Sequence, residues 1–179
     1  MPSTGEDRGG PAGLAVRRLE PAEWETLRDL RLQALADTPA AFASTLEREL
    51  GFDEATWRSR FETSVQLVAL DDGVPVGMVS VFRAPEGEPH LVAMWVAPAA
   101  RRRGAGALLV RAAASEAAAL GAGGLRLYVA DHNLGAEALY RREGFEPTGA
   151  SQALPGRPEL GEHEMRLALP VPGTGAERV

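Results

Sequence analysis

The sequence contains no cysteine and no lysine, so all 19 of its Lys/Arg positions are arginine. Without cysteine there is no disulfide framework, no thiolate nucleophile and no thiolate zinc site. Without lysine there is no side-chain amine for acylation, and a Gly-Lys-Ser/Thr phosphate loop of the Walker type is excluded. The bias accompanies abundant Ala, Gly and Pro and reads first as a GC-rich codon signature. Long apolar runs are also missing, and none approaches the roughly 20 residues that a membrane-spanning helix needs. Positive charge is in deficit: 25 acidic side chains give a net charge of −6 and a pI near 5.2. That balance disfavours a general nucleic-acid binder, which needs a basic face to neutralise phosphates.

What remains is an ordinary globular composition, 45% apolar and 25% charged over 179 residues. A single domain is expected at this length, burying about 70% of the unfolded chain's surface. The opening MPSTGEDRGGPAG has no basic segment followed by an apolar core, so it reads as a frayed tail rather than a secretory signal. The closing PVPGTGAERV reads likewise. The expected division is a tail over 1–13, a domain over 14–169 and a tail over 170–179, in a cytoplasmic protein.

Between the tails, 14–19 reads as a strand, and Glu20-Pro21 opens a helix whose apolar stripe runs through Trp24, Leu27, Leu30, Leu32 and Leu35. Thr38-Pro39 stops it; further helices are expected over 40–50 and, with Asp53 as N-cap, over 53–62. VQLVAL (65–70) and VPVGMVSVF (74–82) flank Asp72-Gly73, a strong hairpin signal. HLVAMWV (90–96) is a strand, 106–120 a helix closed by Gly121, and LRLYVA (125–130) a strand. A helix over 134–143 stops at Gly144, and 162–169 alternates as a last strand, whereas 146–161 has no readable pattern. The class is mixed α/β with one sheet.

The informative stretch is MWVAPAARRRGAGALLVRAA, 94–113, where a strand ends at Val96 and arginines and glycines lead into a helix. The first amides of a helix are unpaired and carry the positive end of its dipole, so this junction is an anion site. Gly104 and Gly106 admit a phosphate to the backbone, with Arg101, Arg102 and Arg103 around it. The dinucleotide fingerprint fails for want of a correctly spaced third glycine.

Arg101-x-x-Gly104-x-Gly106 after Val96-x-Pro98 resembles the acetyl-CoA motif of the GNAT superfamily of acyl-CoA N-acyltransferases. Asn133, followed by Ala138-Leu139-Tyr140-Arg141-Arg142-x-Gly144-Phe145, resembles its second signature. RLQALADTPAAFAS (31–44) is similar to the first-helix region of many bacterial members. The resemblance implies a mixed, mostly antiparallel sheet flanked by helices and splayed between its central parallel strands. It implies that Met94, Trp95 and Val96 offer backbone groups to the pantetheine arm, and that residues 101–106 and Ala107, including Ala105, hold the pyrophosphate. Asn133 would bind the cofactor arm, or cap its helix, or both.

The implied reaction is direct transfer of acetyl from acetyl-CoA to a primary amine, a small amine or amino acid derivative before a protein N-terminus. Tyr140 would protonate the leaving thiolate, its other reading being a packing residue beside Leu139 and Phe145. His90 is the candidate base, with Glu88 and a water chain as competitors and a surface histidine at a strand start as the plain alternative. Trp95 is placed with side-chain parity opposite to His90. No metal, nucleic acid or membrane partner is implied, and the state is monomer or homodimer. A second class is a degenerate relative that binds acetyl-CoA as a sensor or interaction module.

Overall fold

A computed structural model describes residues 13–170 of the chain, so the expectations for the two tails lie almost wholly outside the described residues. Its elements are β1 (Leu14–Arg18), α1 (Trp24–Asp37), α2 (Leu46–Leu50), α3 (Glu54–Thr63), β2 (Ser64–Asp71), β3 (Val74–Phe82) and β4 (His90–Val96). There follow α4 (Ala105–Ala119), β5 (Gly124–Ala130), α5 (Leu134–Arg142), β6 (Glu146–Leu154) and β7 (Arg157–Ala168). The strands make one seven-stranded sheet in the order β1-β2-β3-β4-β5-β7-β6, antiparallel except between β4 and β5.

The sheet has two covered faces, which is why β2 and β3 are apolar at successive positions. Val65, Leu67 and Ala69 of β2 and Val79 and Val81 of β3 join one core with α4. Val68 and Met78 join the other, with Leu27, Leu30, Ala34 and Leu35 of α1. Helix α4 turns Ala105, Leu109, Val110, Ala113 and Ala117 inward against the strands. The β2–β3 turn uses Asp72 and Gly73 at φ 48° and 82°, two left-handed residues that match the strand twist.

Three local expectations change. The helix expected over 40–50 is broken: a 3-10 turn at Pro39–Ala41 is followed by α2, which starts afresh with Thr45 as N-cap. The unread stretch 146–161 is most of a hairpin, β6 and the first part of β7, joined at Pro155-Gly156 with Gly156 at φ 79°. In α1 the buried stripe is Leu27, Leu30, Arg31, Ala34 and Leu35, so an arginine takes the core position expected of Leu32.

The feature that shapes the site is the junction of β4 and β5. Their only ladder pair is His90 with Arg126, with Arg126 N–H donating to Pro89 O at 3.0 Å. Beyond it the strands diverge, leaving a V between them. The closed end is clamped by charge: Glu88 accepts from Arg166 Nε at 2.8 Å and Arg126 Nε at 2.9 Å, and Arg126 Nη1 reaches Glu164 at 2.9 Å.

Candidate active site

Strand β4 carries a bulge. Its register to β3 shifts between Trp95, opposite Met78, and Val92, opposite Ser80, and Ala93 stands at φ 55°. The extra residue reverses the side-chain alternation. Leu91 therefore shares a core with Met94 and Val96, while Trp95 lies in the α1 core on the other face. His90 and Trp95 consequently share a face, opposite to the parity expected from the sequence. The Trp95 indole donates to Asp37 at 2.9 Å, directing that side chain away from the V and leaving only its backbone beside it.

At the open end of the V stands the start of α4. Gly104 is its N-cap at φ 97° with no side-chain cap, and Leu108 N–H is the first to reach back, to Gly104 O at 3.1 Å. The amides of Ala105, Gly106 and Ala107 thus lack a partner inside the helix. A Cβ on Gly106 would lie 3.1 Å from Leu139 Cδ2, 3.6 Å from Met94 and 4.0 Å from Val96. A glycine is needed there to keep the cradle between β4, α4 and α5 open, and uncapped amides facing a slot without Cβ atoms suit a bound diphosphate.

The three arginines divide. Arg101 donates from Nε to Val96 O at 2.9 Å and pairs with Asp37, and Arg103 pairs with Asp71. Arg102, at φ 62°, has no ion-pair partner among the described residues. Arg101 and Arg103 thus brace the loop against the ends of α1 and β2, and the backbone offers the anion site. Asn133 is the N-cap of α5, accepting from Ala136 N–H at 3.2 Å, which leaves its amide nitrogen free to donate elsewhere.

Tyr140 is 5% exposed, packed 5.7 Å from Phe145 in the core shared with α4. Burial raises its pKa from the ordinary phenol value, so the neutral phenol is the stable form.

On the other face, below the bulge, a cleft of roughly 360 Å³ is lined by Arg31, Phe42, Arg60, His90, Tyr128 and Glu162, among others. The His90 ring stacks on Tyr128 at 6.4 Å between centroids. Burial, and then the Glu164 carboxylate, push the Tyr128 phenol up. Burial works against charge on Glu164, yet hydrogen bonds from Thr148 and Arg126 outweigh it and hold the carboxyl below its usual range. Glu88, the competing base, lies in the clamp: hydrogen bonding from Arg166, then from Arg126, lowers it to about 2, so its lone pairs are engaged.

Sequence reading assigned no site role to Arg31, Arg60, Tyr128 or Glu162. Arg31 had a usable signal, since it stands between Leu27 and Leu35 at the i+4 spacing of the apolar stripe. The others carried none, because only the tertiary fold brings α3, β5 and β7 to one cleft.

Residues 24–145 match the family model described as the acetyltransferase (GNAT) family. Streptothricin acetyltransferase of Streptomyces lavendulae is 42% identical over 78 residues, which is 43% of this chain and 41% of that relative. The match therefore spans less than half of that relative's length. Among solved structures, a putative acetyltransferase from Salmonella typhimurium with its cofactor acetyl-CoA superposes with a TM-score of 0.73 at 20% identity, covering 93% of this chain and 99% of that one. A GCN5-related N-acetyltransferase from Kribbella flavida gives 0.71 at 24% identity over 89% and 100% of the chains. The ribosomal-protein-S18-alanine N-acetyltransferase of Escherichia coli gives 0.67 at 20% identity over 92% and 99%. These likenesses establish the splayed fold, and with the family match over most of the domain they show that the chain belongs to the GNAT family of acetyltransferases.

Proposed function

We propose that the protein is an N-acetyltransferase that takes acetyl from acetyl-CoA and passes it directly to a small primary amine. The observation that carries this reading is the bulge at Ala93. One backbone segment, Leu91–Ala93, lines the amine-sized cleft on one face and opens onto the V that ends at the uncapped amides of α4 on the other.

Residues 104–107 would hold the diphosphate by backbone N–H groups, and the unpaired edge of β4 around Met94 to Val96 would hold the arm beside it. The cofactor supplies an activated acyl group as a thioester. An amide near Met94 would donate to the acyl oxygen as negative charge develops there. His90, lining the cleft, accepts the proton the attacking amine must lose. Tyr140, kept neutral by burial, would donate a hydrogen bond to the departing thiolate, which takes its proton from solvent. Holding both reactants in one geometry contributes up to ~7–11 kcal/mol in well-oriented cases.

The test is free thiol release from acetyl-CoA with a panel of small amines and N-terminal peptides. Release that requires an amine supports the reading, and His90→Gln should slow it by about 10²-fold or more. Saturable binding of acetyl-CoA without amine-dependent thiol release would establish a binding module instead.

A further inference from the structure

The cleft below the bulge has two walls of opposite, incompletely compensated charge. On the helical wall, two guanidiniums share one carboxylate. Arg31 donates to Glu49 from Nε at 3.1 Å and from Nη2 at 2.9 Å, and Arg60 donates to it from Nη2 at 3.0 Å. Glu49 is 1% exposed and Arg31 8% exposed, so neither is neutralised by solvent. The wall carries one surplus positive charge, and it falls to Arg60, whose guanidinium makes a single hydrogen bond and lies 4.4 Å over the Trp57 ring.

On the sheet wall stands Glu162, 7% exposed, accepting only from the Gln152 amide at 2.7 Å. Among the described residues it has no ion-pair partner, unlike Glu164 two positions on, which Arg126 neutralises. A buried carboxylate with no cation costs free energy unless something supplies one. Arg60, which shares its carboxylate with Arg31, and Glu162, which has no cation among the described residues, line the same cleft of roughly 360 Å³, with His90 and Tyr128 among its other lining residues.

We infer that the acceptor is a small zwitterion, an amino acid or close analogue whose carboxylate is met by the Arg31–Arg60 wall and whose ammonium is drawn to Glu162. A neutral or purely cationic amine would bring no anion to the half-buried Arg60, whose only carboxylate partner among the described residues, Glu49, is shared with Arg31. A protein N-terminus, its carbonyl bound in an amide, would bring no anion to that wall. This inference rests on the acetyltransferase reading for the fate of the amine, and not for the charge complementarity.

Calorimetry on the full chain tests it without turnover. The probes are free L-amino acids and ω-amino acids, each compared with its primary amide and its decarboxylated amine. At least one amino acid should bind at least tenfold more tightly than both its partners. In thiol release, the same acid should show a kcat/KM at least tenfold above its amide. Arg60→Met, which spares the Arg31–Glu49 pair, should bring the acid-to-amide ratio close to one without altering the KM for acetyl-CoA. Binding or turnover indifferent to the carboxylate, or favouring N-terminal peptides, overturns the inference while leaving the acetyltransferase reading in place. Carboxylate-dependent binding with no thiol release from any amine supports the inference about the cleft and overturns the acetyltransferase reading instead.

Discussion

Leu91 and Met94 face the same core although they stand three positions apart along one strand. In regular β structure such residues point to opposite faces, so the strand must contain one residue too many for its partner. Ala93 is that residue, at φ 55°, a conformation that costs an alanine about 1–2 kcal/mol. The bulge lies just beyond the one ladder pair of β4 with β5, in the segment Leu91–Ala93 that lines the cleft.

Relief and aggravation of that strain should separate in a urea denaturation series. Ala93→Gly is expected to be neutral or stabilising by up to about 1 kcal/mol, because glycine adopts positive φ freely. Ala93→Val should destabilise by about 1–3 kcal/mol and weaken acetyl-CoA binding, since a β-branched residue resists the left-handed region. Equal stability of the three proteins would mean that no bulge exists.

The two glycines of the loop should respond differently. Gly106 lies inside α4, where alanine adds about 1 kcal/mol of helix propensity, yet its Cβ would enter the cradle 3.1 Å from Leu139. Gly106→Ala should keep or raise the melting temperature while weakening acetyl-CoA about tenfold. Gly104→Ala, at φ 97°, should lose about 1–2 kcal/mol of stability as well. An unchanged affinity in Gly106→Ala would move the diphosphate elsewhere.

Tyr140→Phe removes a hydrogen-bond donor and almost no volume. Turnover should fall about 10²-fold with acetyl-CoA affinity within twofold, read from kcat against the directly measured Kd. Full activity would reduce Tyr140 to packing beside Phe145.

Acid should loosen the clamp at the closed end of the V. The Glu88 carboxyl is held at about 2 in the folded chain by Arg166 and Arg126, below the ordinary 4.5 it regains on unfolding. In that window the unfolded chain binds the extra proton, so the stabilisation is present above pH 4.5 and is lost as pH falls toward 2. Urea midpoints measured from pH 6 downward should fall more steeply for the wild type than for Glu88→Gln. Parallel curves would take Glu88 out of the clamp.

Much of the frame was legible locally. Asp72-Gly73 specified its turn, HLVAMWV coincides with β4, and the helix expected over 106–120 is α4, shifted by one residue, because each depends on backbone preferences of a few adjacent residues. The bulge was not legible: nothing in Leu91-Val92-Ala93-Met94 demands positive φ, and the apolar run fits either parity on a sheet covered on both faces. The β6–β7 hairpin was missed because β6 is exposed at all but its last position, which removes the alternation a half-buried strand shows. The anion-site motif was visible, while the cleft proposed for the acceptor was not, since its charges come from α1, α3 and β7 and meet only in the folded chain.

The most direct measurement is amide hydrogen exchange with and without acetyl-CoA. Peptides covering residues 91–96 and 104–107 should gain protection on addition of acetyl-CoA, as the open edge of β4 and the first turn of α4 find partners, while β2 and β3 stay unchanged. Acetyl-CoA that binds without protecting those two segments would contradict a cofactor held by backbone in the V.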